Sequence, residues 1–579
     1  MAILGVDVGG TFTDAVLVED ATIQTAKVPT ARHQEESVVA AVRALGTVRP
    51  ERFTHGTTIA TNALLERKGA TTAFVTTAGF EHLLHLRRQA RAELYRPCAT
   101  HPPPLIPLER CYGVRERMGP DGVLQPLVLA GLPPIDAEAI AICLLFSFRD
   151  PSHETVVAAE LRQRYAGAHV VASSEVAPEF REYERASTTA ADAYLGPVSA
   201  RYLRALQERC RVAELPEPLV MRSSGGVATL DEAAAHPSWI LVSGPAGGVV
   251  GAGLVAREAG FENAISFDMG GTSTDVCLIA AGRAERSTAR EVCGLPIRLP
   301  TVDLHTVGAG GGSIARLDSG GALRVGPRSA GADPGPACYG QGGTEPTVTD
   351  ANLLLGRLPA ELPGGLVLDH DAAAKALGAL DPSDIVQVVN AEMLRALRVV
   401  SVERGHDPRA SALVAFGGAG PLHACALADE LGIEAVLVPA AAGVLSALGL
   451  AASEERRDHV RTLLRPLDEV ADLPTEGEAD VRYVGQSFEL TVPLGGDVSE
   501  SFHRAHEERY GYADRERELE LVAIRTAEVR PGPPITLPPA EPLHVVGPSV
   551  LPLDGSTCWI PPGWVGDRDG SSTLILTRA

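Results

Sequence analysis

The sequence lacks a basic face, a pattern of paired cysteines and a basic N-terminal segment. Its net charge is −22 and its pI is near 5.2, which argues against nucleic-acid binding because that function needs a basic surface. The nine cysteines are scattered, odd in number and form no C-x-x-C pair, so we interpret them as reduced thiols of a cytoplasmic protein. The chain begins directly with the apolar run "ILGVDV", which predicts no signal peptide.

Several common site patterns are also missing. The sequence contains no G-x-x-x-x-G-K-[ST] motif, which removes the most common type of ATP site. The stretch "HEERY" at 506–510 lacks the second histidine of a zinc-protease motif, and no cysteine–histidine spacing is typical of zinc. The stretch 435–452 is uncharged over 18 residues, but its proline and glycines predict a buried strand, loop and helix rather than a membrane span. We expect neither zinc binding nor membrane insertion.

The order of apolar runs predicts the fold class. Short β-branched runs such as "AISFDM" and "EAVLVPA" alternate with longer alanine- and leucine-rich stretches, which is typical of an α/β fold with buried central strands. The stretch 181–210 has helical periodicity, and its Gly196 and Pro197 predict a break into two helices. From about residue 465, alternating apolar and polar residues predict half-exposed strands.

One glycine-rich turn occurs twice, as "DVGGTFTD" at 7–14 and "DMGGTSTD" at 268–275. Each glycine pair lets the backbone approach a ligand, successive N–H groups form a nest for phosphate, and the threonine hydroxyls add donors. The candidate phosphate-binding residues are Gly9, Gly10, Thr11, Thr13, Gly270, Gly271, Thr272 and Thr274. Asp7 and Asp268 end their strands and are candidates to position Mg²⁺, most simply through water. Two facing copies would place two phosphate clamps around one cleft, although a repeat can also be kept for folding alone.

A third glycine turn lies in "ALVAFGGAGPLHACALA" at 412–428, between a buried strand and a helix that begins near Pro421. Gly417, Gly418 and Gly420 form a loop with backbone walls that can admit a flat adenine ring. By itself this is any strand-to-helix turn. In the order phosphate turn, phosphate turn, adenosine loop, the chain resembles the superfamily of actin, sugar kinases and heat-shock chaperone ATPases. That resemblance implies ATP as a ligand and two ribonuclease H-like halves.

Further segments resemble the hydantoinase A and 5-oxoprolinase family over nearly the whole chain. They include "THGTTIATNALLERKGA" at 54–70, "SGPAGGVVGA" at 243–252, "DLHTVGAGGGSIARLDSGG" at 303–321 and "RYVGQSFEL" at 482–490. The block that starts at 303 is long and irregular, which makes the resemblance specific. The chain departs from the family in three ways: it is shorter, Ser453 replaces an aspartate, and Ala92 replaces a proline. These departures concern the substrate and the coupling to a partner, and they leave the nucleotide motifs intact.

The resemblance implies an enzyme that uses ATP and Mg²⁺, with Mn²⁺ as an alternative ion. ATP would phosphorylate the carbonyl oxygen of a cyclic amide such as 5-oxoproline or a hydantoin, and hydrolysis would then open the ring. In this family the subunit works with a second, hydantoinase B-like subunit, so we expect a hetero-oligomer. Two alternatives remain: a subunit of an ATP-dependent ketone carboxylase, and an actin-like ATPase that acts on a protein partner.

Three histidine and aspartate positions are further candidates for catalysis. Asp303 and His305 precede a glycine run that includes Gly310 and Gly311, and the pair is a candidate metal ligand or acid–base group at the γ-phosphate. The alternative is a loop held by a hydrogen-bonded histidine. His55 either approaches the reacting carbonyl or belongs to a helix entry whose threonines act as N-caps.

Two charged or glycine-rich segments also have a functional and a structural interpretation. The glycines of "SGPAGG" at 243–248 either offer N–H groups to an anion or allow two elements to pack tightly. Arg181, Glu182, Glu184 and Arg185 predict a helix face with ion pairs at spacings of three and four. We predict an N-terminal half at 1–195 with an insertion at about 76–180, a second half at 196–455, and a β-rich domain at 456–579.

Overall fold

The chain starts with a strand pair joined by the first glycine turn, and its elements alternate between strands and helices thereafter. The structure, a computed structural model, describes residues 1–20, 22–96, 98–362, 365–568, 570 and 572–579. The first elements are β1 (Ala2–Val8), β2 (Phe12–Glu19), β3 (Thr22–Pro29), α1 (Gln34–Ala44), β4 (Arg52–Thr57) and α2 (Ile59–Leu65). The next group is β5 (Thr72–Thr77), α3 (Leu83–Leu86), β6 (Cys111–Gly119), β7 (Gly122–Val128), β8 (Ala139–Cys143), α4 (Ser152–Arg164), β9 (His169–Ala172) and α5 (Ser173–Val176). The chain continues with α6 (Glu182–Val212), β10 (Leu219–Met221), β11 (Val227–Ala228), α7 (Leu230–Ala235) and α8 (Ser243–Glu258).

The second glycine turn opens the second half in the same way. Its strands and helices are β12 (Ala264–Met269), β13 (Thr274–Ala280), β14 (Arg283–Ala284), β15 (Arg286–Ser287), β16 (Arg290–Val292), β17 (Leu295–Ile297), β18 (Thr301–Val302), β19 (His305–Val307), β20 (Ser313–Leu317), β21 (Leu323–Ser329), α9 (Val348–Leu354), β22 (Glu361–Leu362), β23 (Leu366–Val367), α10 (His370–Leu377), α11 (Pro382–Val400), β24 (Ala412–Phe416), α12 (Gly420–Leu431), β25 (Ala435–Pro439) and α13 (Leu445–Ala451). The remaining elements are β26 (Glu455–Pro466), β27 (Glu478–Tyr483), β28 (Leu490–Pro493), α14 (Val498–Tyr510), β29 (Leu519–Arg530), β30 (Leu543–Val546), β31 (Ser549–Leu553), β32 (Ser556–Ile560), β33 (Trp564–Arg568) and β34 (Thr573–Arg578).

The two central sheets have the same topology. The first has the order β11-β10-β4-β1-β2-β3, with β1 antiparallel to β2 and parallel to β4. The second contains β14-β13-β12-β24-β25, with β12 antiparallel to β13 and parallel to β24. This 3-2-1-4-5 order with an antiparallel second strand is that of ribonuclease H-like domains. The prediction of an α/β fold with two such halves is confirmed.

Helices α8 and α13 lie between the two sheets and join the halves. A Cβ added to Gly449 would lie 1.8 Å from the carbonyl oxygen of Gly247, so these helices cross with their backbones in contact. A Cβ added to Gly5 on β1 would lie 2.0 Å from the carbonyl oxygen of Ala447. Within "SGPAGG", a Cβ on Gly247 would lie 2.9 Å from the carbonyl oxygen of Ser446, and a Cβ on Gly248 would lie 2.9 Å from the Phe416 ring, so these two glycines serve packing, which is one of the two interpretations. The stretch 435–452 forms the predicted buried strand, turn and helix.

A separate sheet forms the insertion in the first half. Its order is β7-β6-β5-β8-β9, and β5 pairs in parallel with both β6 and β8. Its strands bury a small core with α4 that includes Val75, Ile140 and Leu161. The insertion therefore has a core of its own on one face, while Phe74 and Ala141 on the other face belong to the core of the first half.

The C-terminal part divides between two sheets. Strands β26, β29, β27 and β28 form a sheet that packs against α14, and they include the strands predicted after residue 465. Strand β34, by contrast, pairs with β25 along 435–439, and β33 and β30 follow it. The last strands thus complete the sheet of the second half, whereas the predicted boundary at residue 456 separated them from it.

Helix α6 corrects a prediction. It is a single helix of 31 residues although it contains Gly196 and Pro197, so the predicted break into two helices is wrong. The helix is buried along most of its first half, and the ring of His169 packs directly on Gly196. Tertiary packing on this face outweighs the local cost of a proline in a helix.

The ion pairs predicted along the start of α6 are also wrong. Arg181 pairs with Glu489 of the C-terminal sheet, and Glu184 pairs with Arg88 of the insertion. Arg185 is completely buried and donates to the carbonyl oxygen of Leu144 at 2.9 Å. These side chains connect separate regions because the partners that tertiary structure brings near are better placed than those one helical turn away. In the part of the chain described here, no helix has the length and apolar character needed to cross a membrane.

Candidate active site

The two glycine turns have the same local geometry. In each, the aspartate one residue before the end of the first strand lies directly opposite an aspartate near the start of the second, so Asp7 faces Asp14 and Asp268 faces Asp275. The N–H of Gly9 donates to the carbonyl oxygen of Phe12 at 3.0 Å, and the N–H of the corresponding Gly270 closes the second turn at the same distance. The two sequence copies therefore fold into equivalent turns, as the repeat predicts.

The four aspartates lie close enough to influence one another across the two halves. Burial raises the pKa of Asp268 to about 8, and the charges of Asp275, Asp7 and Asp14 add to the rise. Burial, with a contribution from Asp14, likewise raises the pKa of Asp7 to about 7. The space between the two turns, called the cleft below, therefore holds carboxyls that favour protonation, and a bound cation would favour their charged forms instead.

The floor of the cleft near Asp7 is built from glycine. A Cβ on Gly56 of β4 would lie 2.6 Å from Oδ1 of Asp7, and a Cβ on Gly244 of α8 would lie 3.1 Å from it. This oxygen is buried and accepts no hydrogen bond from the described residues. A buried carboxylate oxygen without a partner is costly, so the arrangement is suited to a bound cation or its water.

Lys27 belongs to this site and was missed in the sequence. It lies on β3 opposite Asp14, and its Nζ donates to Oδ1 of Asp14 at 2.7 Å and to the carbonyl oxygen of Gly443 at 3.0 Å. The sequence does show a lysine thirteen residues after the last aspartate of the first turn, but the strand register needed to connect the two is not visible there. Asp14 and Asp275 were visible within the repeat and were given no role.

The glycine run at 310–312 supports the second turn from behind. The N–H of Gly311 donates to the carbonyl oxygen of Gly270 at 3.0 Å, and the N–H of Gly312 donates to that of Gly271 at 2.7 Å. A Cβ on Gly310 would lie 2.6 Å from the backbone of Gly271. Contact with the turn therefore requires glycine at position 310 and explains that glycine without a ligand. Any part of Gly310 and Gly311 in nucleotide binding, as predicted, would be indirect, through the second turn.

The threonines of the two turns differ in what they can offer. The hydroxyls of Thr13 and Thr30 lie 3.0 Å apart, and the Thr274 hydroxyl donates to the carbonyl oxygen of Ala309 at 2.6 Å. Thr13 and Thr274 are completely buried, and in this structure their hydroxyls serve packing. Thr11 and Thr272 are more accessible, so they are the better candidates to donate to phosphate.

Asp303 and His305 form contacts other than the predicted pair at the γ-phosphate. Asp303 is bound by the guanidinium of Arg404, whose Nη2 lies 3.1 Å from Oδ1 of the carboxylate. His305 lies on β19 opposite Val276, next to the Thr306–Asp275 pair, so its side chain points to the other face of the sheet. Burial, with the charges of Arg290 and Arg404, lowers the His305 pKa. The two residues lie beside the second turn, but their predicted role has no further support from these contacts.

His55 lies in the middle of β4, so neither of the two interpretations from the sequence describes its position. Its Nε2 lies 2.8 Å from the hydroxyl of Tyr202, its Nδ1 lies 3.2 Å from the carbonyl oxygen of Val6, and the side chain is fully buried. Burial lowers its pKa to about 4, which keeps the ring neutral. His55 therefore packs between β1 and Tyr202, with its hydrogen-bonding atoms already in use.

The third glycine turn meets the second at Asp268. Gly417 has φ of +79°, and a Cβ there would lie 2.3 Å from Oδ1 of Asp268. The hydroxyl of Ser556 donates to the carbonyl oxygen of Gly417 at 2.8 Å. Glycine is thus required at position 417 by backbone conformation and by contact. Gly418 is exposed and Gly420, the first residue of α12, is buried, and the adenosine role of the loop stays a prediction.

The donor set suits a cation that brings its own ligands. Within the described residues, no group of three or more histidine, cysteine, aspartate or glutamate side chains is arranged to hold a metal ion. Mg²⁺ is usually held by one or two carboxylates together with phosphate oxygens and water. Asp7 and Asp268 fit that requirement, since one offers an unpartnered oxygen and both have raised pKa values that a cation would lower.

Comparisons with known proteins agree with this architecture. The family model described as Hydantoinase/oxoprolinase matches residues 185–459, and the model of the Hydantoinase/oxoprolinase N-terminal region matches residues 3–165. Caprolactamase subunit alpha from Pseudomonas jessenii is 33% identical and covers 99% of both chains. The crystal structure of the ATP-dependent caprolactamase from that organism matches all of this chain with a TM-score of 0.85 at 32% identity.

Two further relatives carry different names. The 5-oxoprolinase of Saccharomyces cerevisiae is 31% identical over 81% of this chain, which spans only 43% of that enzyme. The acetophenone carboxylase gamma subunit of Aromatoleum aromaticum is 35% identical over 76% of this chain and 66% of its own length. The relatives thus include subunits of larger assemblies and both hydrolases and a carboxylase.

Proposed function

Because the chain belongs to the hydantoinase/oxoprolinase family, we propose that it is the nucleotide-binding subunit of an ATP-dependent enzyme that hydrolyses a cyclic amide. The observation that carries this proposal is the pair of facing glycine turns, with Asp7 and Asp268 near the ends of equivalent strands. The similarity to caprolactamase over the whole chain favours a lactam, a hydantoin or 5-oxoproline as substrate.

ATP would supply the phosphoryl group that makes the amide carbonyl easier to attack by water. The chain contributes position and charge. Backbone N–H groups of both turns, with Thr11 and Thr272, would bind the phosphates, since such nests favour anions. Asp7 and Asp268 would hold Mg²⁺, or Mn²⁺ in its place, and the loop from Gly417 to Gly420 would accept the adenosine. The products would be ADP, phosphate and the ring-opened amino acid.

A second subunit completes the proposal. The names of the relatives from Pseudomonas jessenii and Aromatoleum aromaticum describe subunits, and this chain is similar to each over most of its length. We propose a hydantoinase B-like partner that contributes the remaining part of the amide site.

All nine cysteines lie in the described part of the chain and are free, which supports a cytoplasmic location.

The test is a product assay with the chain and its partner purified together. We expect caprolactam, 5-oxoproline or a hydantoin to yield a ring-opened product and an equal amount of ADP, only when ATP is present. Ring opening at the same rate without ATP would refute the proposal. A carboxylated product in place of a ring-opened one would support the carboxylase alternative. The observation that favours this alternative is the similarity to the acetophenone carboxylase gamma subunit.

A further inference from the structure

Lys27 is unusual in composition as well as in position. The sequence has 51 lysine and arginine residues, and only three of them, Lys27, Lys68 and Lys375, are lysine. A chain that otherwise uses arginine for its positive charges places one of its few lysines in the cleft between the glycine turns. Lysine differs from arginine in carrying a compact charge that can enter a narrow site.

The contacts of Lys27 leave it able to bind a ligand. Its ammonium group has three N–H donors, and the described residues supply two acceptors: a carboxylate oxygen of Asp14 and the carbonyl oxygen of Gly443. The side chain keeps 29% of its surface exposed. Its Nζ also lies 5.3 Å from the centre of the Phe12 ring. With two oxygen acceptors among the described residues, one N–H can still turn from that ring to a group that enters the cleft.

The charge of Lys27 acts on both halves. Burial raises the pKa of Asp7, Asp14 and Asp268, and in all three cases the charge of Lys27 opposes the rise. The ammonium group therefore lies near the aspartates of both turns, where the phosphates of a nucleotide would add further negative charge. The charge of Lys27 therefore partly offsets the negative charge of the carboxylates at this point.

The antiparallel pair β31 and β32, joined by Asp554 and Gly555 and called the C-terminal hairpin below, lies against the segment that carries Lys27. The Thr25 hydroxyl, two residues earlier on β3, donates to Oδ2 of Asp554 at 2.5 Å. Next along the hairpin turn, a Cβ on Gly555 would lie 3.5 Å from Cδ of Lys27 and 3.4 Å from Gly443. The tip of the hairpin thus closes over the lysine stem and joins β3 of the first half to the second half.

We propose that Lys27 is a phosphate-binding residue of the nucleotide site, held by Asp14 and Gly443 until a nucleotide phosphate takes up its remaining N–H. The inference rests on the proposed ATP-dependent function. It assigns to β3 and the C-terminal hairpin a part in nucleotide binding beyond that of the repeated turns.

The first experiment uses the wild-type chain. Lysines are labelled with a small amine-reactive ester, with and without saturating ATP and Mg²⁺, and modification at each site is read by mass spectrometry. We expect ATP to slow labelling of Lys27 several-fold and to leave Lys68 and Lys375 unchanged. Lys68 is a matched control because, among the described residues, its ion pair is with Glu66 at the surface, and its side chain is 73% exposed. Labelling of Lys27 unaffected by bound ATP would overturn the inference.

The second experiment separates contact from simple shielding. ATP with Mg²⁺ is titrated calorimetrically into the wild type, Lys27→Met, Lys27→Arg and Lys68→Met, with thermal melts to establish folding. Loss of a charged hydrogen bond to phosphate is expected to weaken ATP binding by Lys27→Met about tenfold to a hundredfold, with Lys27→Arg intermediate and Lys68→Met unchanged. Wild-type affinity in folded Lys27→Met would refute the role of Lys27 and leave the proposed function standing. Failure of the wild type to bind ATP would instead count against the proposed function itself.

Discussion

The two glycine turns share a sequence and a local geometry but are supported by different neighbours. Behind the first turn lie β3 and Lys27, whose ammonium group is bound to Asp14. Behind the second turn lies the glycine run at 310–312, which donates hydrogen bonds to the carbonyl oxygens of Gly270 and Gly271. The same short segment therefore acquires a charged neighbour in one half and a backbone support in the other. The comparison shows that a repeated motif specifies the turn, while its surroundings specify what each turn contributes.

If the two turns clamp one nucleotide, then loss of either strand-end aspartate has the largest effect. We expect Asp7→Asn and Asp268→Asn each to reduce ATP-dependent turnover about a hundredfold or more, because both carboxylates are proposed to position the same cation. The measurement is the rate of ADP release by the complex, with calorimetric titration of ATP and Mg²⁺ into the isolated chain. A strong loss in one variant alone would show that the turn of the unaffected variant has become structural.

The support behind the second turn predicts a large and unequal effect of added methyl groups. Gly310→Ala places a Cβ 2.6 Å from backbone atoms of Gly271, whereas Gly10→Ala in the first turn has open space around its Cβ. We expect Gly310→Ala to lower the free energy of unfolding by about 2–4 kcal/mol and to weaken ATP binding, while Gly10→Ala unfolds as the wild type does. Denaturant unfolding of both variants tests this difference. Equal stability would mean that the glycine run is free to move away from the turn.

The raised carboxyl pKa values predict a pH dependence of the unliganded protein. A carboxyl whose pKa rises on folding stabilises the folded state below its unfolded pKa, and that contribution is lost as the pH rises through the folded value. For Asp268 the window runs from about 4 to about 8. We expect Asp268→Asn without Mg²⁺ to unfold like the wild type at about pH 4 and to become more stable than it as the pH rises, by about 1 kcal/mol or more at pH 8. Thermal melts across this range check the prediction, and a difference that does not change with pH would contradict it.

The smallest effects on stability and ATP affinity are expected at Thr13 and Thr274, which are the corresponding buried threonines of the two turns. Thr13→Val and Thr274→Val each remove one buried hydrogen bond, so each is expected to cost about 1 kcal/mol of stability with little change in ATP affinity. Thr11→Val and Thr272→Val should instead weaken ATP binding and leave unfolding unchanged. Calorimetry and denaturant unfolding of the four variants distinguish the two groups. Weakened ATP binding by Thr274→Val alone would instead support the prediction that the Thr274 hydroxyl contacts phosphate.

Local patterns in the sequence determined the repeated turns, the glycine turn at 417–420 and the α/β alternation. These features depend on residues a few positions apart, such as glycine conformations and the hydrogen bond that closes each turn, so a short segment contains the information that specifies them. The long block at 303–358 likewise identified the family because it is read directly from the order of residues.

Tertiary structure decided the remaining features, and each depends on contacts between distant segments. The register of β2 and β3 brings Lys27 to Asp14, and the path of the chain brings Gly310 behind Gly271. Pairing of β34 with β25 attaches the last strands to the second half, and burial keeps α6 continuous through Pro197. Strand register, burial and charge neighbours arise only when segments far apart in the chain meet, because their free energies come from packing and shared hydrogen bonds rather than from local preference.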